Sequence, residues 1–376
     1  MSIISFSFIA FFFLVFVLLY IFDKLINDNS LCILLSNWTL VLASFAFISY
    51  TDFRFGLVLL ALILVTWYCG LHKRLIPIGI SVAIMFLAYC KYTNFFVSSF
   101  ENLFGLKSST SINVILPVGV SFFTFSAIGY LIDIKRERIE PHTVVDVALY
   151  LSFFPKLTSG PIQRSKDFFS QTMVRRTIGW KTFSIGIQIF VFGLIKKIVF
   201  ADRLSVFVDQ VYATPNTFDS LTILLAVFAY SLQIYFDFSG YSDMAIGIAK
   251  IIGFDLPRNF NLPYLSHNVT EFWKRWHISL SSWLQDYLYI SLGGNRKGQI
   301  RTYINLIVTM TIGGIWHGAS WTFIIWGLLH GIALAVHKVW CKLTHSVTKS
   351  HSAFSNVIST IATFIFVSFT WVFFRA

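Results

Sequence analysis

A histidine at the end of an apolar run is the residue of this chain best suited to chemistry. His317 lies between Gly314 and Gly318, whose GxxxG spacing lets a second helix or a bound molecule approach the backbone closely. Burial disfavours the charged imidazole, so a histidine kept from water stays neutral and can accept a proton from a hydroxyl group. From the residues alone, His317 is either a structural histidine bonded to a neighbouring helix or a general base for acyl transfer.

His330 repeats the local pattern 13 residues later, as Gly-x-x-His-Gly. A metal ion would need further ligands, and no carboxylate or cysteine lies nearby in sequence to complete a set. We therefore expect no metal site and predict that His330 packs between helices.

A third histidine, His277, lies in a segment rich in aromatic and basic residues. If the segment is one helix, His277 shares an apolar face with Trp273, while Lys274 and Arg275 point toward lipid headgroups or an anionic ligand. The alternative is an amphipathic surface helix, which leaves a histidine on the apolar face unexplained.

Polar residues inside apolar sequence predict interruptions of the helices. Asp237 and Asp243 surround Gly240, where we expect a break whose half-helices are capped by the carboxylates. Pro155, together with the Gly-Pro pair before Arg164, predicts a second break, and residues 318–320 predict a third, between His317 and His330. Arg164 itself suits either phosphate binding or the enrichment of basic residues on the cytoplasmic side.

The composition places these residues in a membrane. The chain has 376 residues, of which 56% are hydrophobic and only 12% are charged, which excludes an ordinary soluble enzyme, a disordered chain and a fibrous repeat. The fold class is an all-α polytopic membrane protein of about ten spans, predicted at residues 3–22, 31–49, 55–69, 75–90, 112–132, 183–200, 221–236, 303–316, 320–336 and 357–374.

Shorter apolar runs at 144–154 and 244–254 suit re-entrant or interfacial helices. The polar stretch 250–302 is long for a loop, so we expect it to carry interfacial helices of its own. We expect the first span to be an uncleaved membrane anchor. The last apolar run ends two residues before the terminus, which suggests that the sequence is a fragment.

The net charge of +12 indicates orientation in a membrane and no nucleic-acid partner. Basic loops at 72–74 and 135–138 fall on one side if each span crosses once. The stretch 156–181 adds further cations to that side if the run 144–154 dips into the membrane without crossing it. The positive-inside rule makes this side cytoplasmic and places the N-terminus outside. The four cysteines lack metal-binding spacing, and we expect them to be small buried hydrophobic residues.

Six motifs in one order resemble the membrane-bound O-acyltransferase family, and within it the branch that O-acetylates alginate and peptidoglycan. They are SFFPKLTSGPIQR at 152–164, FDFSGYSD at 236–243, NFNLPY at 259–264, EFWKRWHISL at 271–280, DY at 286–287 with LGGN at 292–295, and GIWHGASW at 314–321. The likeness runs from about residue 116 to the end, within what we expect to be a single membrane domain over residues 1–376.

The resemblance implies helices around a central tunnel, with His317 as the catalytic histidine and His277 as the second functional one. We further expect Asn261 or Ser279 to polarise the acyl carbonyl, and Asp237 and Trp316 to line the tunnel. The residues expected to hold the phosphates of the donor are Arg164, Lys274 and Arg275.

The implied reaction moves an acetyl group from a cytoplasmic thioester, commonly acetyl-coenzyme A, to hydroxyl groups of an extracytoplasmic polysaccharide. A separate SGNH-type transferase often completes the delivery, and the setting is a bacterial inner membrane. The alternatives are D-alanyl transfer to teichoic acid, a transporter of a lipid-linked sugar, and a scaffold of a polysaccharide-export complex. No permanently bound cofactor is expected.

Overall fold

Apolar stretches of the sequence form the longest helices of the protein. A computed structural model describes residues 3–105, 112, 114–344 and 352–375, and within them all regular secondary structure is helical. Asn113, inside the predicted span 112–132, and Ala376 lie outside the described residues. The chain divides into two compact units, one of residues 1–194 and 241–257, the other of residues 195–240 and 258–376.

The helices follow one another along the chain with short connections. Those up to α9 are α1 (Phe6–Leu25), α2 (Asn29–Ser49), α3 (Phe53–Leu71), α4 (Ile76–Phe104), α5 (Val120–Lys135), α6 (Val144–Ser152), α7 (Phe154–Leu157), α8 (Ser165–Thr172) and α9 (Trp180–Ile195). They are followed by α10 (Asp202–Ala213), α11 (Ser220–Ile251), α12 (Val269–Arg275), α13 (Ile278–Trp283), α14 (Gln299–His317), α15 (Trp321–Thr344) and α16 (Ala353–Arg375).

Eight helical segments of the described residues are long and apolar enough to cross a bilayer. They are α1, α2, α3, α4 with the turn before it, α9 continued through α10, α11, α15 and α16. Two of the predicted spans are absent from this set: the run 112–132 overlaps the 16-residue α5, which begins only at Val120, and the run 303–316 lies within α14, whose first turns carry Gln299, Arg301 and Asn305. The protein is a multi-pass membrane protein.

Two of the predicted interruptions are confirmed. At Pro155, α6 ends at Ser152 and the short α7 leads into an irregular segment that reaches α8 at Ser165. At Gly318, α14 gives way to extended backbone before α15 begins at Trp321. The 250–302 stretch carries the short helices α12 and α13, as expected.

The predicted break at Gly240 is wrong, because α11 runs without interruption through Asp237 and Asp243. The run 244–254 is accordingly the end of α11 and its exit, and it forms no re-entrant piece of its own. Polar side chains do not stop this helix because they find partners outside it. Asp237, for example, pairs with Lys197 at 2.5 Å between Oδ1 and Nζ.

Helices α14 and α15 form an antiparallel pair in which glycines replace side chains at the contact. A Cβ atom on Gly314 would lie 2.3 Å from the carbonyl oxygen of Phe323 and 3.1 Å from the Cα of Gly327. A Cβ on Gly327 would lie 2.4 Å from the carbonyl oxygen of Met310. The predicted close approach at Gly314 is thus a contact with α15, and it fixes the end of α14 that carries His317.

Lys156 departs from the cytoplasmic-surface location predicted for the basic residues of 156–181, as does the buried Arg176. The side chain of Lys156 is buried, its Nζ has no hydrogen-bond partner among the described residues, and the ammonium lies 4.1 Å from the ring centre of Tyr150 and 4.6 Å from that of Phe168. Burial lowers the pKa of Lys156 to about 7. The residue therefore belongs to the interior of the first unit.

The cysteine prediction is correct for three residues and wrong for one. Cys32, Cys69 and Cys90 are buried, whereas Cys341 on α15 is half-buried, with its Sγ 3.4 Å from Nε2 of His337. Because the Cys341 thiol has an imidazole as a polar partner, Cys341 does not act only as a small buried hydrophobic residue.

We predict that Gly314→Ala lowers the melting temperature of the purified protein, because the added methyl group would press on the backbone of α15 at a cost of about 1–3 kcal/mol. Gly313→Ala is the matched control, since its Cβ would meet only a side-chain methyl of Leu284, at 3.1 Å. Thermal unfolding in detergent measures both. Equal falls in the two variants would contradict the close contact.

We predict that Lys156→Met stabilises the protein at pH 7. The folded pKa of about 7 lies below the ordinary value of 10.5, so between these values the unfolded chain holds a proton that the folded chain lacks. The free energy of unfolding of the parent protein therefore rises with pH across this window, by up to about 1.4 kcal/mol per pH unit from this group.

The methionine variant should lose that slope, which melting temperatures from pH 7 to 9.5 will measure. Lys181→Met, at an exposed position, is the control and should keep the slope. A Lys156→Met protein that is no more stable than its parent at pH 7 would overturn the burial argument.

Candidate active site

The segment around His277 is two short helices joined by a turn, and the predicted continuous helix is wrong. Helix α12 ends at Arg275, Trp276 is extended, and α13 begins at Ile278. His277 between them has φ 43° and ψ 53°, the left-handed region that side-chain-bearing residues rarely occupy. The turn removes His277 from the helical face that it would otherwise share with Trp273.

Asn259 holds this turn in place. Its backbone oxygen accepts a hydrogen bond from the Ile278 nitrogen at 2.9 Å, and its side-chain Oδ1 accepts from both the nitrogen and the hydroxyl of Ser279, at 3.2 and 2.9 Å. Asn259 and Ser279 are both buried. Sequence reasoning missed Asn259, although it opens the NFNLPY motif, because nothing local shows which polar side chain of a motif turns inward.

The turn brings His277 beside His317. The ring centroids of the two histidines are 6.4 Å apart, and Trp316 lies 6.0 Å from His277 and 4.8 Å from His317. His277 is 1% exposed, and neither of its ring nitrogens has a hydrogen-bond partner among the described residues. Burial and, secondarily, the nearby His317 lower the pKa of His277 well below its ordinary value, so its imidazole is neutral.

Aromatic rings enclose the two histidines. His317 contacts Trp326 and Phe374, each with ring centroids 5.1 Å apart, and His277 contacts Phe238 at 4.6 Å. The contacts are edge-to-face, with interplanar angles of 70° to 88°. An apolar wall of this kind strengthens any hydrogen bond made inside it, because little solvent competes.

His330 lies behind this wall and is fully bonded. Its Nδ1 accepts from the indole nitrogen of Trp273 at 3.3 Å, so its Nε2 carries the proton and donates to the hydroxyl of Thr370 at 2.9 Å. The Thr370 hydroxyl in turn donates to the Val367 carbonyl at 2.7 Å. These bonds link α12, α15 and α16, in agreement with the helix-packing role predicted for His330.

Of the remaining predicted residues, Ser279 and Trp316 lie next to the histidine pair, and two others do not. Asn261 is exposed, and its backbone nitrogen donates to the Arg275 carbonyl at 2.9 Å. Asp237 has a half-exposed side chain that pairs with Lys197. Since Asn261 lies outside the burial that surrounds Ser279, Asn259 is the asparagine that supports the site.

The three predicted phosphate-binding cations occupy different places. Lys274 is exposed and lines a cleft beside α14, whereas Arg275 donates to Glu271 at 2.6 Å in an ion pair within α12. Arg164 precedes α8 in the first unit. Among the described residues, no group of three or more His, Cys, Asp or Glu side chains could hold a metal ion.

We predict that Asn259→Ala impairs the site more than Asn261→Ala. Removing the Asn259 amide takes two hydrogen bonds from the buried Ser279 at a cost of about 1–3 kcal/mol, and it frees His277 from its strained turn. The expected result is a lower melting temperature and at least a tenfold loss of the acyl transfer that the resemblance implies, both measured on purified protein. If Asn261→Ala loses as much, the exposed asparagine has the larger role.

Comparison with known proteins identifies the family of the chain. The family model of the membrane-bound O-acyltransferases matches residues 59–375, beginning well before the motif-bearing part. The chain is 40% identical over 357 residues to the probable alginate O-acetylase AlgI of Pseudomonas aeruginosa, covering 90% of this chain and 67% of that protein.

Two further relatives extend the comparison. A peptidoglycan O-acetyltransferase of Helicobacter pylori is 38% identical over 374 residues, which is 90% of this chain and 70% of that protein. A teichoic acid D-alanyltransferase of Streptococcus thermophilus is 30% identical over 246 residues, or 62% and 59% of the two chains. With its match over most of the sequence, this chain belongs to the membrane-bound O-acyltransferase family and is an O-acyltransferase.

Proposed function

We propose that the protein transfers an acetyl group from a cytoplasmic thioester, acetyl-coenzyme A, to hydroxyl groups of an extracytoplasmic polysaccharide such as alginate or peptidoglycan. The observation that carries the proposal is the pair of histidines, 6.4 Å apart between ring centroids, inside an aromatic wall. The relatives of highest identity named above support acetyl as the group and polysaccharide as the acceptor.

In the proposed mechanism His317 acts as the general base. Its imidazole takes the proton of the acceptor hydroxyl as the oxygen attacks the thioester carbonyl, so that a C–O bond forms and a tetrahedral oxyanion develops. When the C–S bond breaks, the imidazolium returns the proton to the leaving thiolate. The reaction consumes a hydroxyl and a thioester and yields an ester and a thiol.

His277 supplies the hydrogen bond to the oxyanion in this mechanism. A neutral imidazole has one N–H donor and one acceptor nitrogen, and the two nitrogens of His277 have no partner among the described residues. A donor held in place before the reaction stabilises developing charge without reorganisation, which is the basis of oxyanion stabilisation. The left-handed turn fixes the imidazole at the required position.

The proposed cellular setting follows from charge and from the reaction. The basic loops at 72–74 and 135–138 support a bacterial inner membrane orientation with the N-terminus outside and the donor on the cytoplasmic side. A charged coenzyme is too costly to move through lipid, so donor and acceptor meet inside the protein. An SGNH-type extracytoplasmic transferase is the partner proposed to complete delivery to the polymer.

D-alanyl transfer to teichoic acid is the second candidate function. The relative that carries this name is 30% identical over 246 residues, against 40% over 357 residues for the alginate O-acetylase. Family membership also favours an enzyme over a transporter or a scaffold. Acetyl transfer is therefore the better supported reaction.

We predict that His317→Ala lowers acyl transfer by at least about 100-fold, the usual contribution of a general base. Labelled acetyl on alginate or peptidoglycan fragments measures the activity, with a labelled D-alanyl donor in parallel. His72→Ala, in a loop between spans, is the matched control and should retain full activity. Retained transfer by His317→Ala at normal protein levels would refute the role of His317, and D-alanyl transfer alone would refute the proposed donor.

A further inference from the structure

A thiol, an imidazole and a hydroxyl group follow one another between α12 and α15, away from the histidine pair of the candidate active site. Nε2 of His337 lies 3.4 Å from Sγ of Cys341, and Nδ1 of the same ring lies 2.8 Å from the hydroxyl oxygen of Thr270. All three residues belong to the second unit. A nucleophile beside a base that a third group orients is the arrangement that activates a cysteine.

Two histidines of α15 bond to α12, and their hydrogen bonds end at different groups. His330 bonds the indole of Trp273 through Nδ1 and the hydroxyl of Thr370 through Nε2, and this chain of bonds ends at a backbone carbonyl. The bonds of His337 end at a thiol, which becomes a strong nucleophile when it loses its proton. His337 is therefore the histidine of this helix pair that can serve a reaction of its own.

The tautomer of His337 that suits a base is the one in which Nδ1 donates to the Thr270 oxygen. Nε2 then carries a lone pair and accepts the thiol proton of Cys341. Thr270 is the second residue of α12, and Cys341 follows His337 by four residues on α15, so regular helices fix both groups relative to the ring. The imidazole is thus held at the thiol before any reagent arrives.

The Cys341 thiol lies near the end of its helix and is open on one side. Cys341 is half-buried, whereas the other three cysteines of the chain are buried. Residues 321–337 contain no Lys, Arg, Asp or Glu, and the exposed Lys338 and Lys342 mark the end of this apolar run. The thiol therefore lies at a membrane surface, where a water-soluble reagent can reach it.

Cys341 is too far from the candidate active site to take part in its reaction. Helix α15 begins at Trp321, shortly after His317, and Cys341 lies 20 residues further along, which is about 30 Å of helix. By the positive-inside rule the basic end of α15 faces the cytoplasm. A reagent that arrives from the cytoplasm therefore meets this thiol before it can reach the histidine pair.

We propose that Cys341 is a site of S-acylation, at which the thiol takes the acyl group of a soluble acyl thioester. The thiol proton passes to Nε2 of His337 while the sulfur attacks the thioester carbonyl, so that a new C–S bond forms. The C–S bond of the donor then breaks, and the imidazolium returns the proton to the leaving thiolate. One thioester is consumed and one is formed, so the step needs no oxidant or other co-reactant.

The half-buried position of the thiol favours a small, uncharged group. An acetyl group brings no charge to the contact between the helices, whereas a mixed disulfide with glutathione would bring several, at a cost in desolvation. That the thioester is acetyl-coenzyme A rests on the proposed function. The placement of the thiol against the imidazole does not.

The test incubates the full chain in lipid nanodiscs with acetyl-coenzyme A labelled in the acetyl group. Peptide mass spectrometry locates the label, and release by neutral hydroxylamine identifies a thioester. The variants are Cys341→Ser, His337→Gln and His317→Ala, the last of which removes the base of the proposed reaction. His267→Gln is the matched control, because His267 also bonds a threonine hydroxyl through Nδ1, at 2.8 Å.

We expect a hydroxylamine-labile acetyl group on Cys341 in the parent protein and in His317→Ala. His337→Gln should slow the labelling at least about tenfold, because a thiol without a base is only a few per cent thiolate at pH 7. His267→Gln should keep the parent rate. Melting temperatures check folding, and Thr270→Val with its conservative partner Thr270→Ser serves if His337→Gln is unstable.

Absence of acetyl from Cys341, or equal labelling rates in the parent protein and in His337→Gln, would overturn the inference. Modification of Cys341 by hydrogen peroxide or glutathione disulfide but not by acetyl-coenzyme A would overturn it as well. Because the labelling needs no polysaccharide, it is independent of the proposed reaction. A protein that is acetylated on Cys341 but transfers no acetyl group to a polymer would refute the proposed function and leave the modification site standing.

Discussion

The hydrogen bonds from Asn259 to the segment after His277 decide where the second histidine lies. A left-handed residue with a side chain costs about 1–3 kcal/mol, so the turn persists only where its surroundings enforce it. Here the turn is held by hydrogen bonds between residues 278 and 279 and Asn259, which lies about twenty residues earlier in the chain. Without these bonds α12 and α13 could merge into one helix, and His277 would move away from His317.

His317 is positioned by a different kind of contact. His317 is the last residue of α14. The direction of that helix is fixed by direct backbone contact with α15, where Gly314 meets Gly327. One histidine is therefore positioned by polar bonds and the other by close packing. The aromatic side chains of α15 and α16 fill the space around them, which keeps the pair in a setting of low dielectric.

Much of the fold could be predicted from the sequence, because a bilayer allows few solutions. Long apolar runs had to become helices, and Pro155 and Gly318 had to end them. The failure at Gly240 has a physical cause: polar residues predict a break only when they lack partners, and Lys197, forty positions away, provides one for Asp237. Partners distant in sequence cannot be read from local pattern.

The candidate site, like the fold, could be predicted from the sequence only in part. His317 and Trp316 could be singled out as candidates from a histidine between glycines in apolar sequence, although the choice of a catalytic over a structural role for His317 rests on the resemblance to the family and stays a prediction. The conformation of His277 could not, since neither its residue type nor its neighbours favour a positive φ. The choice between Asn259 and Asn261 depended on which side chain turns inward, a property of the tertiary structure that two asparagines in one motif do not reveal.

The bonding of His330 limits how protons can travel through the protein. Its chain of hydrogen bonds begins at an indole nitrogen, which can only donate, and ends at a backbone carbonyl, which can only accept. A hydrogen-bond chain that has a donor-only group at one end and an acceptor-only group at the other transfers no protons. Although three histidines lie within one aromatic cluster, His330 is isolated from proton transfer, and the acid–base steps of the proposed mechanism involve only the substrates, His317 and His277.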